Sequence, residues 1–348
     1  MKKNIVVLAG DGIGPEIMAS GVAVLEKVTK QTEQQFELTA HAFGGAGIDA
    51  FGEPLPEATL AACQAADAIL LGAIGGPKWE QAPKTPEQGL LALRKSLNLY
   101  ANIRPIAVPD ALLPLSPIKE EIVKGTDFIV VRELTSGIYF GEPRHLGETE
   151  AYDTNRYQAE EIRRILRSAF EIAQGRKKKV LSVDKANVLA TSKLWRQLAE
   201  EVAQEFPDCT LEHQYVDSAA MRIVQQPTAF DVIVTENLFG DILSDEASVL
   251  PGTLGVLPSA SHGTMGISLY EPIHGSAPDI AGQNIANPVS MILSVALMLR
   301  QSFAMAAEAD VIERACFEVM AEGILTKDLG GTTTTTAFTE AVLAKIGN

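Results

Sequence analysis

Short apolar runs of strand length alternate along this chain with longer stretches whose apolar positions recur at helical spacing. Asn4 to Ala9 is the first such run, ending in Gly10-Asp11-Gly12-Ile13-Gly14-Pro15-Glu16, after which Ile17, Val22, Val24 and Leu25 take up a helical period. A strand, a glycine turn and a helix follow from that order. A dinucleotide fingerprint needs its third glycine three positions after the second, where this chain has Pro15, so the glycines read as a tight turn and Pro15 as the opening of a helix. Further strands are expected over Ala68 to Gly72, Phe128 to Val131, Val180 to Val183, Leu211 to Val216 and Phe230 to Val234. Leu90, Leu91, Leu93 and Leu97 predict a helix, Glu160 to Gln174 an amphipathic one, and Pro288 to Arg300 a buried one. Such alternation predicts an α/β architecture.

Composition narrows the function classes. The 348 residues are enough for two domains, and 46% apolar with 21% charged residues is an ordinary globular balance. Subtracting 44 acids from 29 bases gives −15, which argues against nucleic acid or an anionic membrane as the partner. An anionic substrate would then need arginines gathered locally. Cys63, Cys209 and Cys316 are scattered and odd in number, as expected of reduced thiols. The chain runs from Met1-Lys2-Lys3 straight into a strand and has no apolar run of membrane-spanning length, so a cytoplasmic protein is expected.

Candidate chemistry centres on Glu236 to Gly255, where Asp241 and Asp245 stand four residues apart and so on one face of a helix. Such pairs often decorate solvated helices. Here Leu238, Phe239, Ile242, Leu243 and Val249 predict an apolar surround, which favours a site for a hard divalent cation with oxygen ligands. Asp217, at the end of a strand-like run, is a candidate third carboxylate. Arg94, Arg104 and Arg132 fall at element ends and could clamp a di- or tricarboxylic acid bidentately, or serve as ordinary surface pairs. Lys185 follows a strand, and a lysine whose pKa falls near a metal can act as a base. The polar stretch 139–157 reads as an arm or long loop able to clasp a second subunit. The run Arg176 to Lys179 reads as a solvated helix cap, and His262 as exposed. Around Asp279 a loop of small residues could approach a ligand closely, its carboxylate suiting the ribose hydroxyls of NAD and repelling the 2′-phosphate of NADP.

Taken together, Gly10 to Glu16, LLALRKSLNLYANIRP, VVRELTSGIYFG, Asp184-Lys185-Ala186-Asn187, ENLFGDILSDEAS and EPIHGSAPDIAGQNIANP resemble the isocitrate/isopropylmalate dehydrogenase family of decarboxylating dehydrogenases over essentially the whole chain. The resemblance implies a two-domain α/β fold that is not a Rossmann dinucleotide fold. Its first domain would comprise 1–100 plus 253–348 and hold the NAD-binding loops; its second, 101–252, would hold the dimer interface, the arm and the metal aspartates. It further implies that Arg94, Arg104 and Arg132 bind the substrate carboxylates and that Asp217, Asp241 and Asp245 hold Mg2+ or Mn2+. Lys185 and Asp217 would come from the neighbouring chain of a homodimer. Lys185 would take the proton of the 2-hydroxyl as hydride leaves to NAD, and Tyr139 would help protonate the enol after CO2 is lost. His274, Gly275, Ser276, Ala277, Asp279, Ile280, Ala286 and Asn287 match the family's cofactor loop, and Ile280 after Asp279 favours NAD.

Substrate choice within the family turns on Glu87, Leu90 and Leu91, an apolar patch suited to an isopropyl group and hostile to a third carboxylate. The expected reaction is oxidative decarboxylation of (2R,3S)-3-isopropylmalate to 4-methyl-2-oxopentanoate, a step of leucine biosynthesis. A decarboxylating dehydrogenase of D-malate or tartrate would suit a smaller or more polar residue at Leu90 or Leu91. A non-catalytic relative would lose Lys185, Tyr139 or an aspartate, and an acyltransferase would need neither the Asp279 loop nor the three aspartates.

Overall fold

The computed structural model describes residues 2–30 and 32–347. Its strands are β1 Lys2–Gly10, β2 Gln35–Ala40, β3 Ala68–Ala73, β4 Leu99–Ala107, β5 Asp127–Glu133, β6 His145–Leu146, β7 Ala151–Tyr152, β8 Lys179–Asp184, β9 Thr210–Tyr215, β10 Val232–Thr235, β11 Pro258–Gly263 and β12 Ser268–Pro272. The helices are α1 Gly14–Thr29, α2 Gly45–Phe51, α3 Glu57–Gln64, α4 Pro86–Ser96, α5 Glu120–Val123, α6 Ala159–Gln174, α7 Ala190–Ala203, α8 Val216–Gln225, α9 Asn237–Ala247, α10 Val289–Ser302, α11 Ala306–Ala321 and α12 Thr335–Ile346. Contacts divide the chain into one unit of residues 1–98, 110–115 and 252–348, and another of 99–109 and 116–251.

In the first unit the strand order is β2-β1-β3-β12-β11, parallel except for the β11–β12 hairpin. β3 is buried at every position, as a parallel strand covered on both faces must be. The helix expected over Pro288 to Arg300 is α10, buried continuously from Val289 to Leu299, and an apolar circumference of that kind can only sit inside a core. The segment around His262 forms strand β11, and His262 is half-buried instead of exposed. Its Nδ1 lies 2.8 Å from the Ser268 hydroxyl across the hairpin and its ring meets Tyr270 edge-on, so burial lowers its pKa.

The second unit has the order β4-β5-β10-β8-β9, with β4 antiparallel and the rest parallel. Register sets Arg132 beside Thr235, Thr235 beside Val183 and Asp184 beside Tyr215. The carboxyl ends of β5, β10, β8 and β9 are therefore level, and in open α/β sheets ligands bind beyond that edge. α6 buries Ile162, Ile165, Leu166, Ala169, Phe170 and Ala173, the stripe its periodicity predicts. The basic run after it is not wholly solvated: Arg176 turns inward to the buried Asp231 at 2.9 Å and to Asp127 at 2.8 Å. Its three lysine neighbours stay exposed. Within 139–157, β6 and β7 form a two-stranded ribbon with Leu146 and Tyr152 outward.

Candidate active site

In the second unit two arginines, a tyrosine and two aspartates gather at the strand ends. α9 buries Asn237, Gly240, Leu243, Ser244 and Ala247 as one stripe, which leaves Asp241 and Asp245 on the adjoining face. The apolar surround expected for this pair is only partly there, because Ile242 and Val249 point outward, 55% and 51% exposed. What surrounds the carboxylates instead is cationic. Arg132, buried at the end of β5, donates from Nε and Nη2 to Asn237 Oδ1 at 3.0 and 2.9 Å and from Nη1 to Asp241. Arg104 on β4 donates from Nε to Asn102 at 2.9 Å and from Nη1 to Ser244 at 2.7 Å and Asp245 at 2.8 Å. Both guanidiniums are thus fixed by neutral amide oxygens and aimed by charge-assisted bonds.

Gly240 makes this packing possible. A Cβ there would lie 2.6 Å from Arg132 Cγ, so the stem of Arg132 crosses the helix where a side chain is absent. Tyr139, on a single turn after β5, donates its hydroxyl to Asp241 Oδ2 at 2.8 Å. Burial, and then the adjacent Asp241 carboxylate, raise its pKa, holding the proton on the phenol.

Lys185 and Asp217 follow β8 and β9 and pair with each other, and the lysine's bond pulls the Asp217 pKa down. The turn that carries Lys185 is fixed by the buried Asp184, which accepts from Arg196 Nε and Nη2 at 2.9 Å each and from Ala186 N at 2.8 Å. Among the described residues, no three His, Cys, Asp or Glu side chains of this chain converge as a metal cluster. Asp241 and Asp245 share the Arg104 guanidinium, while Asp217 stands with Lys185. Behind them Glu236 is buried on Ser192 and Asn155, and burial pushes its carboxyl up to about 7.

In the first unit, α4 opens with Thr85 and Gln88 capping each other's backbone N–H groups and with Pro86 in the first turn. Leu93 and Leu97 face the core. Leu90 and Leu91 are half-buried, and Glu87 is exposed, its carboxylate lying over Gly75. Arg94 pairs with Glu271 at 3.0 Å, both about nine-tenths buried, while its Nε has no partner among the described residues.

The loop after β12 carries the remaining candidates. Asp279 is exposed, with its backbone oxygen accepting from Gln283 at 2.8 Å. The Nδ1 of His274 meets the Gly275 carbonyl at 2.9 Å, and its Nε2 is buried without a partner among the described residues. Burial lowers the His274 pKa. Asn287 donates to Asp328 at 3.0 Å and accepts from Val289 N at 3.0 Å, and Thr253 and Thr326 also bond Asp328, a residue the motifs did not mark. Ala286 is buried, its carbonyl accepting from Thr335. Ser276 is buried with its hydroxyl on Gly75 O at 2.8 Å, Ala277 adopts a left-handed backbone (φ +39°), and Ile280 is half-buried.

The family model described as isocitrate/isopropylmalate dehydrogenase matches residues 4–342. The chain belongs to the isocitrate/isopropylmalate dehydrogenase family. The α/β fold and decarboxylating dehydrogenase class implied by the motifs follow from that membership. Among relatives in the family, a 3-isopropylmalate dehydrogenase of Listeria monocytogenes is 66% identical over 346 residues, covering 99% of each chain. One of Streptococcus thermophilus is 65% identical, covering 99% of this chain and 100% of that one. The isocitrate dehydrogenase of Methylococcus capsulatus has a TM-score of 0.89 at 36% identity, over 99% of this chain and 100% of that one. A beta-decarboxylating dehydrogenase of Thermococcus kodakarensis has a TM-score of 0.83 at 35% identity, over 99% and 96%. Among the described residues no helix is long and apolar enough to cross a membrane.

Proposed function

We propose that this chain is an NAD-dependent, divalent-metal-dependent dehydrogenase that oxidatively decarboxylates 3-isopropylmalate. The observation that carries this reading is the gathering of Arg104, Arg132, Tyr139, Asp241 and Asp245 at one sheet edge. Two guanidiniums held by amide oxygens are built to receive carboxylates, and Arg94 in the first unit, whose buried Nε has no partner among the described residues, offers the same chemistry. On α4 the half-buried Leu90 and Leu91 supply no partner for a further carboxylate, whose burial there would cost several kcal/mol, so an alkyl group is the better fit.

The donors present fit a hard divalent ion. Asp241 and Asp245 offer oxygen ligands from one partly exposed face, with Asp217 of a second copy completing the set. Exposed Val188, Met221, Ile242 and Val249 flank these residues and favour a homodimer. The cofactor loop fits NAD: Asp279 is an exposed carboxylate for the ribose hydroxyls, and His274 has a buried ring nitrogen with no hydrogen-bond partner among the described residues.

When bound, the metal would supply Lewis-acid polarisation of the substrate oxygen and NAD would supply the hydride acceptor. The protein's own groups handle position and protons. Arg104 and Arg132 orient the carboxylates, Lys185 Nζ of the second copy that also supplies Asp217 takes the hydroxyl proton, and Tyr139, kept protonated by burial and by Asp241, delivers a proton to carbon after CO2 departs.

The test is NAD reduction with 3-isopropylmalate, isocitrate, D-malate and tartrate side by side, each with Mn2+ and with EDTA. Metal-dependent turnover strongest on 3-isopropylmalate is expected. Strongest turnover on malate or tartrate would overturn the role given to Leu90 and Leu91, and none on any substrate would overturn the whole reading.

A further inference from the structure

The glycine turn after β1 lies outside the groups assigned so far, yet a carboxylate in it ties four segments together. Asp11 is buried, and among the described residues it makes no side-chain ion pair: Oδ2 accepts from Gly45 N and Gly75 N, and Oδ1 from Ala46 N, all at 2.8 Å. Gly75 carries the connection onward, its carbonyl accepting from the Ser276 hydroxyl at 2.8 Å. Ser276 returns it, its own carbonyl accepting from Ile13 N at 2.8 Å. Asp11, Gly75, Ser276 and Ile13 thus form a closed ring that begins and ends in the glycine turn.

Two glycines hold the ring in backbone conformations that side chains rarely adopt. Gly12 adopts φ +57°, and a Cβ there would stand 2.0 Å from the Ser276 carbonyl oxygen. Gly75 adopts φ +94°, with the Glu87 carboxylate 2.5 Å from where its Cβ would be. Three N–H donors converge on one side chain, and among residues of this size only an ionised carboxylate is acceptor at both ends.

We infer that Asp11 is a positioning residue for the cofactor loop, acting through Gly75 and Ser276 to hold the 274–280 segment in register with the glycine turn. This rests on reading that loop as the NAD site. Asp11 itself need not touch the cofactor. It fixes where the backbone that carries His274 and Asp279 begins.

Asp11→Asn keeps the shape and turns one acceptor into a donor facing a donor. The protein is compared with its parent by equilibrium NADH binding without substrate and by amide exchange without cofactor. The expected result is a Kd raised roughly 10- to 100-fold, a smaller change in kcat at saturating NAD, and faster exchange spreading from Gly45, Ala46 and Gly75 into 275–280. In a cycle with Ser276→Ala the double variant should bind little worse than the weaker single, since one ring is broken in both. Parent-like NADH binding by Asp11→Asn, exchange confined to Gly45 and Ala46, or full additivity would overturn the inference. Should Asp11→Asn not fold, Ser276→Ala decides: a Kd within twofold of the parent overturns it, and a larger rise supports it. A parent that binds no NADH would instead overturn the reading of the loop.

Discussion

The two candidate regions are held in opposite ways. In the second unit, side chains hold side chains: Arg132 rests on Asn237 and Asp241, Arg104 on Asn102, Ser244 and Asp245, and Tyr139 on Asp241. In the first, Asp11 and Ser276 hold backbone, through Gly45, Ala46, Gly75 and Ile13. A carboxylate-binding cluster on strand ends and a helix has rigid support and needs its charges aimed. A loop that must admit a long cofactor has no such support of its own and takes its position from amides of neighbouring turns. Losing one charge therefore unbalances several neighbours in the first kind of region, whereas an exposed side chain can leave the second kind with its backbone intact.

The largest expected effect comes from Arg132→Ala. Buried Arg132 is the shared partner of Asp241 and Asn237, and its removal leaves Asp241 to Tyr139 and the more distant Arg104 at 3.9 Å. Losing one such preorganised donor costs about 1,000-fold in kcat/KM. Steady-state rates at saturating NAD and Mn2+ measure it, and a loss under tenfold would break the contrast by showing that the cluster tolerates a missing member.

These two regions also differed in how far the sequence disclosed them. Arg104, Arg132, Asp241 and Asp245 could be named from chemistry and motif, because charged groups announce what they bind. Asn102, Asn237 and Ser244, which aim the arginines, carry no such signature; their role depends on strand register and on which helix stripe faces inward, and Gly240 matters only because the Arg132 stem crosses it. Asp11 was visible only as part of a glycine turn, since three amides from segments far apart in sequence converge there through folding alone. Strands β1, β3, β5, β8, β9 and β10 and the buried α10 are plain in the apolar pattern, whereas β2 and the β11–β12 hairpin are not. His262 and Arg176 read as exposed from the sequence and are not, because a polar residue's burial is set by what it finds to bond with: Ser268 for one, Asp231 for the other.

The next effect sharpens the contrast by testing a buried carboxylate behind the cluster. Glu236 has its folded pKa raised by burial from 4.5 to about 7. Between those values the folded chain keeps a proton that the unfolded chain has lost, so stability is lost as pH rises through the window, by about 3 kcal/mol. Glu236→Gln cannot ionise. Relative to the parent its unfolding free energy should be level at about pH 4, below the unfolded pKa, and greater by about that amount at pH 8. Denaturant midpoints at stepped pH measure the difference, and a difference that stays flat with pH would show that Glu236 is ionised in the fold at no cost.

The smallest effect belongs to the loop. Asp279 is exposed, and its side chain takes no part in the ring that positions the 274–280 segment, so Asp279→Ala should leave the fold and the amide protection of Gly75 unchanged. What it removes is a carboxylate for the ribose hydroxyls, a pair of charge-assisted bonds at a site open to water, costing roughly tenfold in NAD affinity. The same change should narrow discrimination against NADP, since the charge that repels its 2′-phosphate is gone. Equilibrium binding of NADH and NADPH to parent and variant tests both. NADH affinity equal to the parent's would mean that the loop's backbone, and not its acidic side chain, does the recognising, and the division between side-chain and backbone control would then run deeper than the geometry of Asp279 implies.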